Sequence, residues 1–332
     1  MADDSSVEIF TLTNVQGTRV RVAEYGALLV SIETADRNGE LGNITLSYQN
    51  LDQALAGGVY GSVIGRFANR INTGGFSIDG KRFELDSINS KTGIHTHGGK
   101  SGFHHQLWTG TVEEHPSEAV VSLTLTSLDG HEGYPGDVRV KVTYRLTNKN
   151  ILEIDYQGNT DQPTHLNLTN HAFFNLAGKG DIREHFLTLT SDHVLEFDQR
   201  KIPTGKMLPV ESTWFDFRNG KLVGLGIEEI PGGGYDHCYP LPPLPEANEP
   251  ASFAKLIDAE SGRSMEIATT MPGVQIYTAN HLKGNPFPRW GGICFETQFY
   301  PDTPNRPEFP SSLLRPGENY HHLTTFQFDV IK

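Results

Sequence analysis

The sequence predicts an all-β protein built as a large antiparallel β-sandwich. Runs of alternating apolar and polar residues recur along the chain, turn dipeptides separate them, and no long stretch repeats apolar residues at helical spacing. The first strand candidates are residues 20–25 and 27–34, followed by the turn Asn38-Gly39. Residues 51–55 form a short helix candidate. Residues 76–78 and 81–85 flank Asp79-Gly80, a pair that tolerates positive φ and so suits a tight hairpin. Residues 120–126 alternate apolar and hydroxyl side chains, residues 138–146 alternate almost without a break, and 151–156 follow the turn Asn148-Lys-Asn150. This is the pattern of an antiparallel sheet with one wet face. Residues 186–190, 264–269, 274–278, 293–299 and 323–330 supply further strands, and 222–227 a second short helical turn. Residues 240–250 are Pro-rich but lead into another hairpin, so they read as a surface loop rather than a linker.

The 332 residues exceed the roughly 100–200 of a typical domain. With no linker and no repeat of solenoid or propeller length, residues 1–332 read as a single domain. The chain carries 27 Lys+Arg against 40 Asp+Glu, a net charge of −13, with no basic block. Nucleic acid and anionic membrane surfaces need a basic footprint, so neither is an expected partner. No apolar run approaches the roughly 18 residues of a membrane span. Met1-Ala-Asp-Asp-Ser-Ser6 has neither a basic nor an apolar leader region, and the two cysteines make no disulfide framework, so a cytoplasmic location is expected.

Polar residues in apolar or Gly-rich settings mark the candidate chemistry. In Gly65-Arg-Phe-Ala-Asn-Arg-Ile71, Asn69 and Arg70 together suit a hydroxyl-rich or carboxylate ligand, or else Arg70 makes a structural ion pair. His95-Thr-His97-Gly-Gly places His97 on a tight turn, as a ligand contact, a metal ligand or an exposed turn residue. In His165-Leu-Asn-Leu-Thr-Asn-His171, alternation puts His165, Asn167, Thr169 and His171 on one strand face, with His171 able to serve as a general acid. A wet strand face is the bland alternative. Gly232-Gly-Gly-Tyr-Asp236 brings backbone and the Asp236 carboxylate near a ligand, or is a flexible loop with a capping Asp. Gln275 enters an apolar strand and must be networked or face a cleft. In Ile293-Cys-Phe-Glu-Thr-Gln-Phe299, period two sets Cys294, Glu296 and Gln298 opposite Ile293, Phe295, Thr297 and Phe299. Burying a charged Glu there is costly, so Glu296 should have a perturbed pKa and is the best candidate for a general base, unless it pairs with Arg70.

These residues, together with Gly102-Phe103 and Trp108, Asp129-Gly-His-Glu-Gly-Tyr-Pro-Gly136, Thr169-Asn-His-Ala-Phe-Phe-Asn-Leu176, Tyr235-Asp-His237, Pro272-Gly-Val-Gln-Ile-Tyr277 and Pro301-Asp-Thr-Pro-Asn305, give the chain its resemblance to the aldose 1-epimerase (galactose mutarotase) family. The resemblance extends over residues of about 10–330. It implies a β supersandwich with an open cleft, no metal and no organic cofactor, and interconversion of the α and β anomers of free hexoses such as D-galactose and D-glucose. It implies that Glu296 takes the proton of the anomeric hydroxyl, that His171 gives one to the ring oxygen, and that His97 holds or polarises the sugar. Asn69, Arg70, Asp236 and Gln275 match its sugar-binding positions, and Phe287 is the candidate for the aromatic that covers the sugar's apolar face. A free aldose is the expected partner and a monomer the expected state, with a dimer as the alternative. Other readings are an epimerase of a different or phosphorylated sugar, which would want an Arg pair such as Arg66 with Arg70. A non-catalytic sugar-binding module would not need both Glu296 and His171, and a metal hydrolase would use His95, His97, His171 and Asp236.

Overall fold

The protein's structure, a computed structural model, describes residues 7–55, 58–115, 117–245, 249–284 and 286–331. Residues 1–6, read above for a leader, and residues 246–248 of the Pro-rich loop lie outside the described residues.

Alternation builds the largest sheet. In Val138–Thr147, Val138, Val140, Val142, Tyr144 and Leu146 are buried while Arg139, Lys141 and Arg145 face outward. This strand sits in a nine-stranded sheet ordered Thr109–His115, Glu118–Ser127, Val138–Thr147, Ile151–Thr160, Tyr320–Val330, Arg263–Thr269, Ala251–Asp258, His185–Leu189, Lys221–Leu222. All its pairings are antiparallel. A four-stranded sheet of Phe173–Phe174, Ile293–Gln298, Gly273–Tyr277 and Asp236–Pro240 packs on it. The contact runs through the Phe174 and Phe326 rings, 5.1 Å apart, and a 2.7 Å hydrogen bond between the Thr297 and Thr324 hydroxyls. A second four-stranded sheet, from Ile9–Thr13 to Leu41–Asn43, joins the same apolar core, where the Tyr144 hydroxyl donates to the Ala27 carbonyl at 2.7 Å. The architecture is an all-β sandwich of packed sheets. Among the described residues, no helix is long and apolar enough to cross a membrane.

The expected helix is present at Leu51–Leu55. The second expected helical turn is not where the sequence put it: Lys221–Leu222 is an edge strand, and the turn falls at Ile227–Glu229. The larger correction concerns the polar stripe from His165 to His171. It is not one strand face. The chain makes two-residue strands at Thr164–His165, Thr169–Asn170 and Phe173–Phe174, each with a different partner. Amide side chains cause the break. The Asn167 amide exchanges hydrogen bonds with the Phe299 backbone, and Asn170 Nδ2 donates to the Gly61 carbonyl at 2.6 Å. These side chains take backbone partners that a continuous ladder would have used. The wet-face alternative also fails, because His165, Asn167, Thr169 and His171 are all buried.

Candidate active site

Glu296 and His171 meet inside the molecule. Ile293–Gln298 is buried along its whole length, and its alternation turns Phe295 and Thr297 to the core. Cys294 and Glu296 turn the other way and both reach His171. The Cys294 sulfur lies 3.5 Å from His171 Nδ1, and Glu296 Oε1 lies 3.5 Å from His171 Nε2. The second carboxylate oxygen of Glu296 is buried without a protein partner, so it is free to accept from a ligand. Burial, with the Asp236 charge added, pushes the Glu296 carboxyl up to about 8. Burial pushes His171 down to about 4. Between those values the pair holds one proton.

His97 is set by a backbone grip. Residues Asn69 and His97 both have positive φ, 66° and 53°. Their two turns interlock: His97 N–H donates to the Asn69 carbonyl at 2.9 Å, and Asn69 N–H donates to His97 Nδ1 at 3.2 Å. A nitrogen that accepts a backbone N–H carries no proton, so neutral His97 carries its proton on Nε2. Burial holds its pKa well below the usual histidine range, so it stays neutral. Its ring lies 5.4 Å from that of His171.

Asp236 anchors another wall of the site. Gln275 is fully buried and donates to Asp236 Oδ1 at 2.7 Å. Arg70 approaches Asp236 Oδ2 at 3.5 Å while also donating to Asn69 Oδ1 at 3.1 Å, and Lys201 pairs with the same Asp236 oxygen. Burial alone would raise the Asp236 pKa, but the Arg70 and Lys201 charges outweigh it and hold the carboxyl well below the usual range. Arg70 therefore pairs with Asp236 and not with Glu296.

These walls enclose a cavity of about 180 Å³ lined by Asn69, Arg70, His97, His171, Asp236, Tyr277, His281 and Glu296. It is smaller than the roughly 300–1,000 Å³ of sites for drug-sized ligands, and suits one small polar ring. A groove of about 620 Å³ near Phe10 and Val120 is larger. Its charged lining is the Glu113–His115–Glu118 group, whose members pair with one another near the surface.

The structure thus brings Asn69, Arg70, His97, His171, Asp236 and Glu296 to one cavity. Gln275 does not line it and instead buttresses Asp236. Phe287 is not brought there either; it packs in the neighbouring apolar cluster, with its ring 5.9 Å from that of Tyr60. The aromatic on the cavity wall is Tyr277, whose hydroxyl meets His281 Nδ1 at 3.0 Å. Tyr277 could have been found from period two, since it shares the Gln275 face. Nothing in the sequence singles out His281 or Lys201.

The alternative donor sets do not assemble. His95 is buried against Tyr134, with Nδ1 2.8 Å from the Asp86 carbonyl, so His95, His97, His171 and Asp236 make no common metal site. His97, His171 and Glu296 do place donor atoms within 4.8 Å of one another. However, the outward nitrogen of His97 bears a proton and is a hydrogen-bond donor rather than a ligand. Arg66, wanted beside Arg70 for a phosphate, is buried and spends its guanidinium on Ser127, Leu128 and Pro135.

A family model described as aldose 1-epimerase matches residues 8–327. The galactose mutarotase of Rattus norvegicus is 39% identical over 335 residues, covering 98% of this chain and 95% of that protein. The aldose 1-epimerase of Escherichia coli K12 is 34% identical over 346 residues, covering 98% and 96%. Among solved structures, an aldose epimerase homologue from C. elegans superposes with a TM-score of 0.90 at 28% identity, covering 98% of this chain and all of that one. The galactose 1-epimerase of Lactobacillus acidophilus gives 0.88 at 26% identity, covering 100% and 97%. The chain belongs to the aldose 1-epimerase family.

Proposed function

We propose that this protein interconverts the α and β anomers of a free hexose such as D-galactose or D-glucose, with Glu296 as base and His171 as acid. The observation that carries this is the buried Glu296–His171 pair, 3.5 Å apart, with one carboxylate oxygen unpartnered. Ring opening of a hemiacetal moves two protons and no electrons, so one base and one acid suffice. Glu296 as carboxylate removes the proton from O1, and His171 as imidazolium gives one to the ring oxygen O5 while the C1–O5 bond breaks. The resulting neutral pair is the same one-proton state that burial favours in the empty site. Rotation about C1–C2 presents the other aldehyde face. O5 attacks C1, His171 recovers its proton, and Glu296 returns the other to O1.

His97 Nε2–H, Asn69, Arg70 and Asp236 would hold the ring hydroxyls, with Gln275 keeping Asp236 in place. Asp236→Ala should raise KM about tenfold or more, the cost of losing charge-assisted hydrogen bonds and leaving Arg70 and Lys201 unpaired. Steady-state polarimetry with varied sugar concentration measures it; an unchanged KM would remove Asp236 from the binding set.

Because the pair must hold one proton, kcat/KM should be bell-shaped. Activity should fall above about pH 8 as Glu296 loses the shared proton, and below about pH 4 as His171 gains a second. Both limbs belong to the pair. A profile with its basic limb near pH 6 would contradict the buried-carboxylate assignment. The primary test is polarimetry of freshly dissolved α-D-galactose and α-D-glucose. Equilibration faster than the spontaneous rate is expected, and no acceleration with any common aldose refutes the proposal. In this reading residues 1–332 act as one unit and as a monomer in the cytoplasm, and a reaction that moves two protons and no electrons calls for neither metal nor organic cofactor.

A further inference from the structure

The segment Asp129-Gly-His-Glu-Gly-Tyr-Pro-Gly136 lines no part of the cavity, yet it grips both loops that do. Arg66, in the segment that leads to Asn69 and Arg70, donates from Nε to the Ser127 hydroxyl at 2.8 Å. It also donates to the Ser127, Leu128 and Pro135 carbonyls at 2.7–2.9 Å. On the other side, the Ser101 N–H and hydroxyl both donate to Glu132 Oε1, at 2.6 and 2.5 Å. His131 joins the two grips. Its Nε2 lies 2.9 Å from the Ser101 carbonyl, which can only accept, so Nε2 carries the proton. Its Nδ1 then accepts from the Ser127 hydroxyl at 2.7 Å. With the His131 ring neutral, the bonds run in one direction, from Arg66 through Ser127 and His131 to Ser101 and Glu132.

The two gripped loops touch each other. Gly98 lies so close to Gly65 that a Cβ on it would come within 1.9 Å of the Gly65 carbonyl. Gly99 is equally tight against the Glu132 carboxylate, at 2.1 Å. Glu132 itself has a φ of 53°, an unfavourable conformation for a non-glycine residue that surrounding contacts must hold in place. His97 stands one residue before Gly98, and Asn69 three residues after Arg66.

We infer that the turn spanning residues 127–135 is a brace, in which His131 and Glu132 are positioning residues that fix the sugar-binding loops of Asn69, Arg70 and His97. The inference rests on the proposed anomer interconversion. Glu296 hangs on the strand Ile293–Gln298, and the His171 backbone bonds to Gly61 and Ser62 ahead of the gripped loops, so loosening the brace should weaken sugar binding and spare the chemistry.

Glu132→Ala and His131→Phe should raise KM about fivefold or more, with kcat within about twofold of wild type and the pH limbs unmoved. Glu132→Gln keeps an acceptor oxygen for Ser101 and should restore KM to within about twofold. A merely structural role would instead lower the folded fraction, and so lower kcat at constant KM. Amide hydrogen exchange over residues 97–103 gives a readout independent of activity: faster exchange is expected in Glu132→Ala and His131→Phe but not in Glu132→Gln. Falling kcat at unchanged KM, or exchange unchanged in both disruptive variants, overturns the brace. If Glu132→Ala does not fold, the partly exposed His131→Phe carries the test. Should wild-type protein accelerate no aldose, the anomerase assignment fails and the exchange measurement alone decides the brace.

Discussion

Glu296→Gln should reduce kcat by about 10²–10⁴, to near the spontaneous rate, because the amide cannot take the O1 proton. The substitution keeps the shape of the side chain, so sugar binding should persist, and NMR titration with D-galactose would report it. The same variant should be more stable than wild type in alkaline solution. Glu296 has its folded-state pKa raised from 4.5 to about 8 by burial. Stability from the protonated form is complete below pH 4.5 and is lost as pH rises through 8. The wild type should therefore lose melting temperature over that window, while the Gln variant loses less. A variant that is inactive and also less stable at pH 8 would point to damaged packing, and activity above about a tenth of wild type would remove Glu296 from the base role.

His171→Asn should cause a loss of similar size, about 10²–10⁴ in kcat, since His171 Nε2 lies 3.5 Å from Glu296 and is placed to deliver the second proton. The asparagine retains polarity but cannot deliver a proton at neutral pH. The acid limb near pH 4 should disappear from any residual activity, because that limb is the second protonation of the pair. Here the stability sign is opposite. The folded-state pKa of His171 is depressed from 6.5 by burial, so its contribution is present above pH 6.5 and lost as pH falls toward 4. The variant should resist mild acid better than wild type. If it keeps most of its kcat, His97 or water is the acid, and His97→Asn in the same background would separate the two.

Much of this is legible in the sequence. Period two in residues 293–299 put Cys294 and Glu296 on one face, and both in fact reach His171. The alternation of residues 138–146 identified a sheet with one wet face, as its burial shows. Local pattern failed where side chains compete with the backbone. Asn167 and Asn170 broke the stripe from His165 to His171 into short bridges. His165 went to a separate cluster against Phe76, with a ring separation of 4.8 Å. Aromatic identity alone was a poor guide to the cavity wall, which takes Tyr277 and leaves Phe287 outside.

By itself the sequence determined the residue chemistry and the strand alternation. Both depend on neighbours a few positions apart, and they were enough for an all-β sandwich with a Glu and a His in apolar settings. Convergence was decided by the tertiary structure. Asn69, His97, His171, Asp236 and Glu296 come from distant strands and loops, and only their packing sets the 3.5 Å separation of the pair. The same packing decides that Lys201 and Arg70 share Asp236, and that Gln275 serves from behind. It also sets the proton affinities, because desolvation depends on everything around a group and not on its place in the chain.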